Sequence, residues 1–113
     1  MHEMTIAQNI VGIVQQTLKE HPDKSCKTVY VKIGELNAVI TESLSFAYKA
    51  LTANTDLASS DLVIEHLPIL GKCRQCASVF GIDSFEFSCP QCRSHDIEIE
   101  QGKELHVEKL ELV

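Results

Sequence analysis

Cys73-Arg74-Gln75-Cys76 and Cys89-Pro90-Gln91-Cys92, twelve residues apart, constrain this chain more than any other stretch. Two CxxC turns each present two thiolates to one ion, and four thiolates complete a tetrahedral zinc site with no open position. A segment this short has little core, so metal binding must supply its folding free energy. Cys73, Cys76, Cys89 and Cys92 are therefore read as structural zinc ligands in a zinc-ribbon-like module. Rubredoxin-like iron would use the same spacing. A thioredoxin-like redox dithiol is disfavoured, because the pair is duplicated and no helical pattern follows either copy. Lys72, Arg74 and Arg93 flank the knuckles and can offset the negative charge of a four-thiolate site. His95, three residues past Cys92, reads as a surface histidine.

The fifth cysteine, Cys26, stands alone and reads as a bystander. An odd cysteine count, with Glu3 where a signal peptide would carry basic residues, fits reduced metal-binding thiols in a cytosol. The formal net charge is −6, and no cluster of lysine or arginine is longer than a pair. That composition excludes a general nucleic-acid or anionic-membrane binder, because neutralising phosphates needs a concentrated basic face. No apolar run approaches the ~18 residues of a membrane span.

The rest of the chain alternates helix and strand patterns. Thr5 with Gln8 resembles a capping box, and Ala7, Ile10, Val11, Val14 and Leu18 recur at helical spacing behind it. These predict a helix over 6–20, with Met4 packing back on its first turn. His21-Pro22 ends it. Residues 27–34 alternate, with Val29, Val31 and Ile33 on one face, as a half-buried strand does. Thr41 is the expected cap of a second helix over 42–53, striped by Leu44, Ala47, Tyr48 and Leu51. A strand follows over 61–68. The last strand, over 104–112, switches its apolar register from Leu105 and Val107 to Leu110 and Leu112, which a β-bulge near Glu108 and Lys109 would produce. The expected fold is α+β: two helices packed on a small, mostly antiparallel sheet, with the zinc-ribbon-like module inserted before the last strand. The division is 1–70 plus 104–113 for the α+β domain and 71–103 for the module.

A second chelate is possible at the start. In Met1-His2-Glu3, the α-amine, the backbone nitrogen of His2 and the His2 imidazole can reach one ion, and Glu3 can add its amide or carboxylate. Such a nitrogen-rich, potentially planar set suits Ni(II) or Cu(II) better than Zn(II). Histidine at the second position is too large for removal of Met1, so the amine is expected to stay one residue before it. Amines and imidazoles hold protons near neutrality, so binding there must displace protons and depend steeply on pH.

The Met1-His2-Glu3 start, the helix behind it, the strand ending Ile33-Gly34-Glu35-Leu36, and CxxC…CxxC before a last strand together resemble the HypA/HybF family of hydrogenase-maturation nickel metallochaperones. The resemblance covers essentially the whole chain. It implies a nickel-binding α+β domain with an attached zinc-ribbon-like domain, nickel at Met1, His2 and Glu3, and zinc at Cys73, Cys76, Cys89 and Cys92. It implies a non-enzymatic, cytoplasmic role: delivery of transported Ni(II) to the [NiFe]-hydrogenase large subunit. The implied partners are the GTPase HypB and, in some organisms, urease maturation proteins, with neither nucleic acid nor membrane, for a monomer or weak homodimer. Some members place histidine directly after the second knuckle, where this chain has Arg93, so a histidine-for-thiolate exchange at zinc is in doubt here. A second-helix carboxylate such as Glu42 could support nickel, without a firm correspondence in the family. The competing reading is a zinc-ribbon interaction or regulatory module with no nickel role.

Overall fold

The computed structural model describes residues 2–113. The elements follow in the order α1 (Glu3–Glu20), β1 (Cys26–Gly34), a 3-10 turn (Glu35–Asn37), α2 (Thr41–Thr52), β2 (Asp61–Leu67), β3 (Leu70–Cys73), β4 (Val79–Gly81), β5 (Ile97–Gln101) and β6 (Leu105–Leu112). They make two three-stranded sheets, ordered β2-β1-β6 and β4-β3-β5. The α+β architecture matches the sequence expectation. Three of the four strand pairings are antiparallel; β1 and β2 run parallel because α2 carries the chain back between them.

The core lies between the helices and the first sheet. Ala7 and Val14 of α1, Val29 of β1, Leu44 of α2 and Leu57 after it are fully enclosed. The period-2 pattern of β1 and the 3.6-residue stripes of α1 and α2 point these residues at one another, which is why both patterns were readable. Tyr48, also buried, shares a hydrogen bond with Ser60 at 2.6 Å, so its hydroxyl is not orphaned in the core.

The bulge falls where the sequence requires it. Tyr30 pairs with Lys109, but Val31 pairs with Val107, leaving Glu108 as the extra residue. Without it, either Leu105 and Val107 or Leu110 and Leu112 would face away from the core. The bulge also presents Glu108 to Lys32 (3.6 Å) and His106 (3.0 Å).

Two helix starts differ from the expectation. α1 begins at Glu3, with His2 as its N-cap, and no side chain caps it. Thr5 is inside the first turn and exposed, and Met4 is exposed rather than packed back as a staple. Glu3 supplies an acidic residue to the first turn, where the helix dipole favours it, and this extends the helix past the capping-box signal. α2 likewise starts at Thr41 itself, with Ile40 as its N-cap.

The two sheets meet at a close backbone contact. A Cβ on Gly34 would lie 2.1 Å from the carbonyl carbon and oxygen of Gly102. Gly102 has φ +125, which side chains avoid. Gly34→Ala should therefore destabilise the protein by more than about 3 kcal/mol, a cost confined to residues that force backbone movement. Urea unfolding followed by circular dichroism measures it; a midpoint within error of the parent would contradict the contact.

Candidate metal centre

The four paired cysteines converge. Their Sγ atoms all lie within 4.8 Å of one another, the only such metal-competent group of three or more among the described residues. Cys73 and Cys92 sulfurs are 3.4 Å apart, and those of Cys76 and Cys89 are 3.5 Å apart. Zn–S bonds of about 2.3 Å set tetrahedral S···S edges of roughly 3.8 Å. The cluster thus fits a four-thiolate ion with small adjustment. This end of the molecule has a small apolar core: apart from Cys73 and Cys89, its buried apolar residues are Ile69 and Ile82, while Val79 and Phe85 are exposed.

The two knuckles are built alike. Cys73 N–H donates to Ser78 C=O at 2.9 Å, and Ala77 N–H returns to Cys73 C=O at 2.9 Å. In the second, Cys89 N–H donates to Ser94 C=O at 2.9 Å, and Arg93 N–H returns to Cys89 C=O at 2.8 Å. Backbone N–H groups of Gln75 and Cys92 point at the Cys73 and Cys89 sulfurs, at 3.4 and 3.5 Å. Those donors stabilise thiolate charge, as ligands of a cation require. In each knuckle the first cysteine is buried and the second exposed.

Thiol acidity follows the same crowding. The Ser78 side chain and backbone, with help from Cys89, pull the Cys76 thiol down to about 6. The Ser94 backbone favours the Cys92 thiolate, yet sharing with Cys73, burial, and contacts with Cys89 and Cys76 push Cys92 up to about 12. Four sulfurs this close cannot all carry charge unless a cation sits among them.

The neighbouring cations and histidine behave differently. Arg74 is committed to Asp96, Nη1 to Oδ1 at 2.8 Å, and closes the module by bringing the chain after the second knuckle back to the first. His95 is exposed and its Nδ1 lies 3.3 Å from Phe87 C=O, outside the sulfur cluster. Cys26 is buried and isolated; burial pushes its thiol up, and its sulfur lies 3.6 Å from Thr28 C=O.

At the other candidate site, Met1 lies outside the described residues. His2 is exposed and extended, at φ −76 and ψ 122. Among the described residues, the first helical bond runs from Ile6 N–H to His2 C=O, 3.2 Å, and the amides of Glu3, Met4 and Thr5 precede that ladder. Glu3 is half-buried, and its Oε2 accepts from Ile40 N–H at 3.3 Å. The start of α1 is thereby brought to the start of α2, where Glu42 is exposed in the first turn. His21, His66 and His106 are exposed.

A family model described as hydrogenase/urease nickel incorporation, metallochaperone, hypA, matches residues 1–112. The chain belongs to the HypA family. A relative named hydrogenase maturation factor HypA from Desulfosudis oleivorans is 38% identical over 99% of this chain and 98% of its own. The namesake from Geobacter sulfurreducens is 35% identical over 99% of each. Two solved HypA structures share the fold: a solution structure of HypA protein, with TM-score 0.74, and that of the nickel metallochaperone HypA from Helicobacter pylori, with TM-score 0.67. Each is 23% identical and covers the whole of this chain, with 97% and 98% of theirs respectively.

Sequence reasoning found the sulfurs but missed Ser78 and Ser94. The signal was present: both knuckles read C-x-Q-C-x-S, Cys73 to Ser78 and Cys89 to Ser94. The residue between the second cysteine and the serine is left-handed in both, Ala77 at φ 64 and Arg93 at φ 63. A left-handed conformation costs an ordinary L-residue about 1–2 kcal/mol, and a glycine almost nothing. Ala77→Gly should raise the stability of the metal-loaded protein by about 0.5–1 kcal/mol, after the extra flexibility of glycine in the unfolded chain is subtracted. Ala77→Val should lower it by at least about 1 kcal/mol, since β-branched residues avoid this region. Thermal melts of the two variants should shift in opposite directions.

Proposed function

We propose that this chain is a nickel carrier for [NiFe]-hydrogenase maturation, with Ni(II) held by Met1, His2 and Glu3 and zinc held by Cys73, Cys76, Cys89 and Cys92. The family match over residues 1–112 supports the activity. Within the molecule, one observation carries the nickel site: α1 starts at Glu3, leaving an exposed His2 and first-turn amides that precede the helical ladder. Amide, imidazole and amine nitrogens can then meet one ion in a plane, which selects nickel or copper geometry over tetrahedral zinc. Glu3 is tethered to α2 and can offer a carboxylate from a rigid element.

The two sites divide the chemistry. A carrier must give up its cargo, and an exposed site with few ligands does so readily. Four crowded thiolates leave no open position and hold zinc as a structural ion. Under this reading residues 1–70 plus 104–113 form the nickel-binding domain and 71–103 the zinc domain. The partners are the GTPase HypB, as source or co-carrier of nickel, and the hydrogenase large subunit as acceptor; urease maturation proteins are a second route in this family. The role is binding and transfer rather than catalysis, and it is placed in the cytoplasm. No helix among the described residues is long and apolar enough to cross a membrane.

Adding one residue before Met1, or His2→Ala, should weaken nickel binding by more than about tenfold, since even outer-shell partners of a metal are worth that much. Zinc content should be unchanged in both. Calorimetric nickel titration of native and extended protein decides it, and affinity that survives the extension removes the amino-terminal site. Cys73→Ala should lose zinc, remove the slow-exchanging amides of β3 and leave α1 folded. Zinc retained at full stoichiometry would rule out the four-thiolate assignment.

A further inference from the structure

Between β1 and α2 the chain makes a short strap, residues 34–40, whose two ends touch different parts of the molecule. At its first end the strap grips both connections leading to the four-cysteine module. Gly34 N–H donates to Glu104 C=O at 2.7 Å and Leu36 N–H to Gly102 C=O at 2.9 Å, on the returning connection. Glu35 Oε2 accepts from Ile69 N–H at 3.3 Å, on the outgoing one. Asn37 locks this end: its Nδ2 donates to Glu104 C=O at 2.7 Å and to Gly34 C=O at 3.3 Å. Both amide hydrogens of one side chain thus tie the strap to itself and to the strand entering β6.

At its other end the strap reaches α1. Ala38 turns it through a left-handed conformation, φ 51 and ψ 37, with its N–H on Glu35 C=O at 3.1 Å. Val39 is buried in the main core and fixes the path. Ile40 N–H then meets Glu3 Oε2 at 3.3 Å. One carboxylate oxygen of Glu3 is therefore oriented by a backbone group whose position Asn37 and Val39 set.

We propose that Asn37 is a positioning residue for the amino-terminal nickel site: it fixes the strap whose last amide orients the Glu3 carboxylate. Asn37 touches no metal. It acts as the hydrogen-bonding partners behind a metal's ligands do, by holding a ligand's carrier in place. The inference rests on the reading of Met1, His2 and Glu3 as the nickel site. It adds that the site's geometry depends on the bond from Asn37 to Glu104, two residues 67 apart in sequence and both outside the site.

The test uses the full-length, zinc-loaded protein and nickel(II) as the probe, with Asn37→Ala and Asn37→Asp beside the protein extended before Met1. Asn37→Asp keeps the shape but cannot donate, so it should match Asn37→Ala. Both should lower nickel affinity by about three- to tenfold, the range of one to two lost hydrogen bonds. They should also shift the nickel ligand-field absorption, with zinc stoichiometry unchanged. A merely structural role would lower the melting temperature and leave that absorption in place. Unchanged affinity and spectrum in both variants, with nickel binding lost in the extended protein, would overturn the role of Asn37 and leave the nickel site standing. Nickel binding that survives the extension would overturn the site and this inference together. Should the variants fail to fold, amide exchange on the native chain gives the answer. Added nickel should slow exchange at Ile40, Leu36 and Ile69, and unaltered exchange there refutes the proposal.

Discussion

Where β1 ends, Gly34 lies against Gly102 so closely that no side chain fits between them. This contact is the seam of the molecule. β1 is the central strand of the first sheet, paired with β2 on one edge and β6 on the other. The chain leaves that sheet after β2, makes the four-cysteine module, and returns to start β6. Both crossings pass the end of β1, and the close backbone approach lets Gly34 and Leu36 donate into the returning strand. A bulkier residue would push the crossings apart and remove those hydrogen bonds at once.

Different forces hold the parts on either side of the seam. One side is a conventional core, in which apolar faces of α1, α2 and β1 exclude water. The other has few buried apolar residues and four sulfurs that share one small volume. Such a cluster can be held by charge in place of hydrophobic burial, since thiolates this close repel unless a cation lies among them. The molecule is correspondingly long, 55 Å by 24 Å by 16 Å.

Much of this was legible in the chain. The alternation of β1, the stripes of α1 and α2 and the register switch in β6 are local patterns created by burial on one face, and each survived folding intact. The bulge at Glu108 is the clearest case, since two apolar pairs out of phase can share a face only through an extra residue. Capping was less legible. Thr5-x-x-Gln8 looks like a helix start, but the helix begins three residues earlier, at Glu3, whose carboxylate accepts from Ile40 N–H. That bond joins residues 37 apart and leaves no trace in a local pattern.

By itself, the sequence determined what each segment could bury and which atoms could bind an ion: periodicity sets faces, and the C-x-x-C spacing sets thiolate pairs. Tertiary structure alone decided which segments meet. The Cys73 and Cys89 knuckles join because β3 and β5 pair across Gly71. Asn37 reaches Glu104, and Glu3 reaches Ile40, because β6 returns beside β1 while α1 lies against α2. Those meetings depend on three-dimensional closure of the chain, whose geometry is fixed by all the faces packing at once and is written in no single stretch.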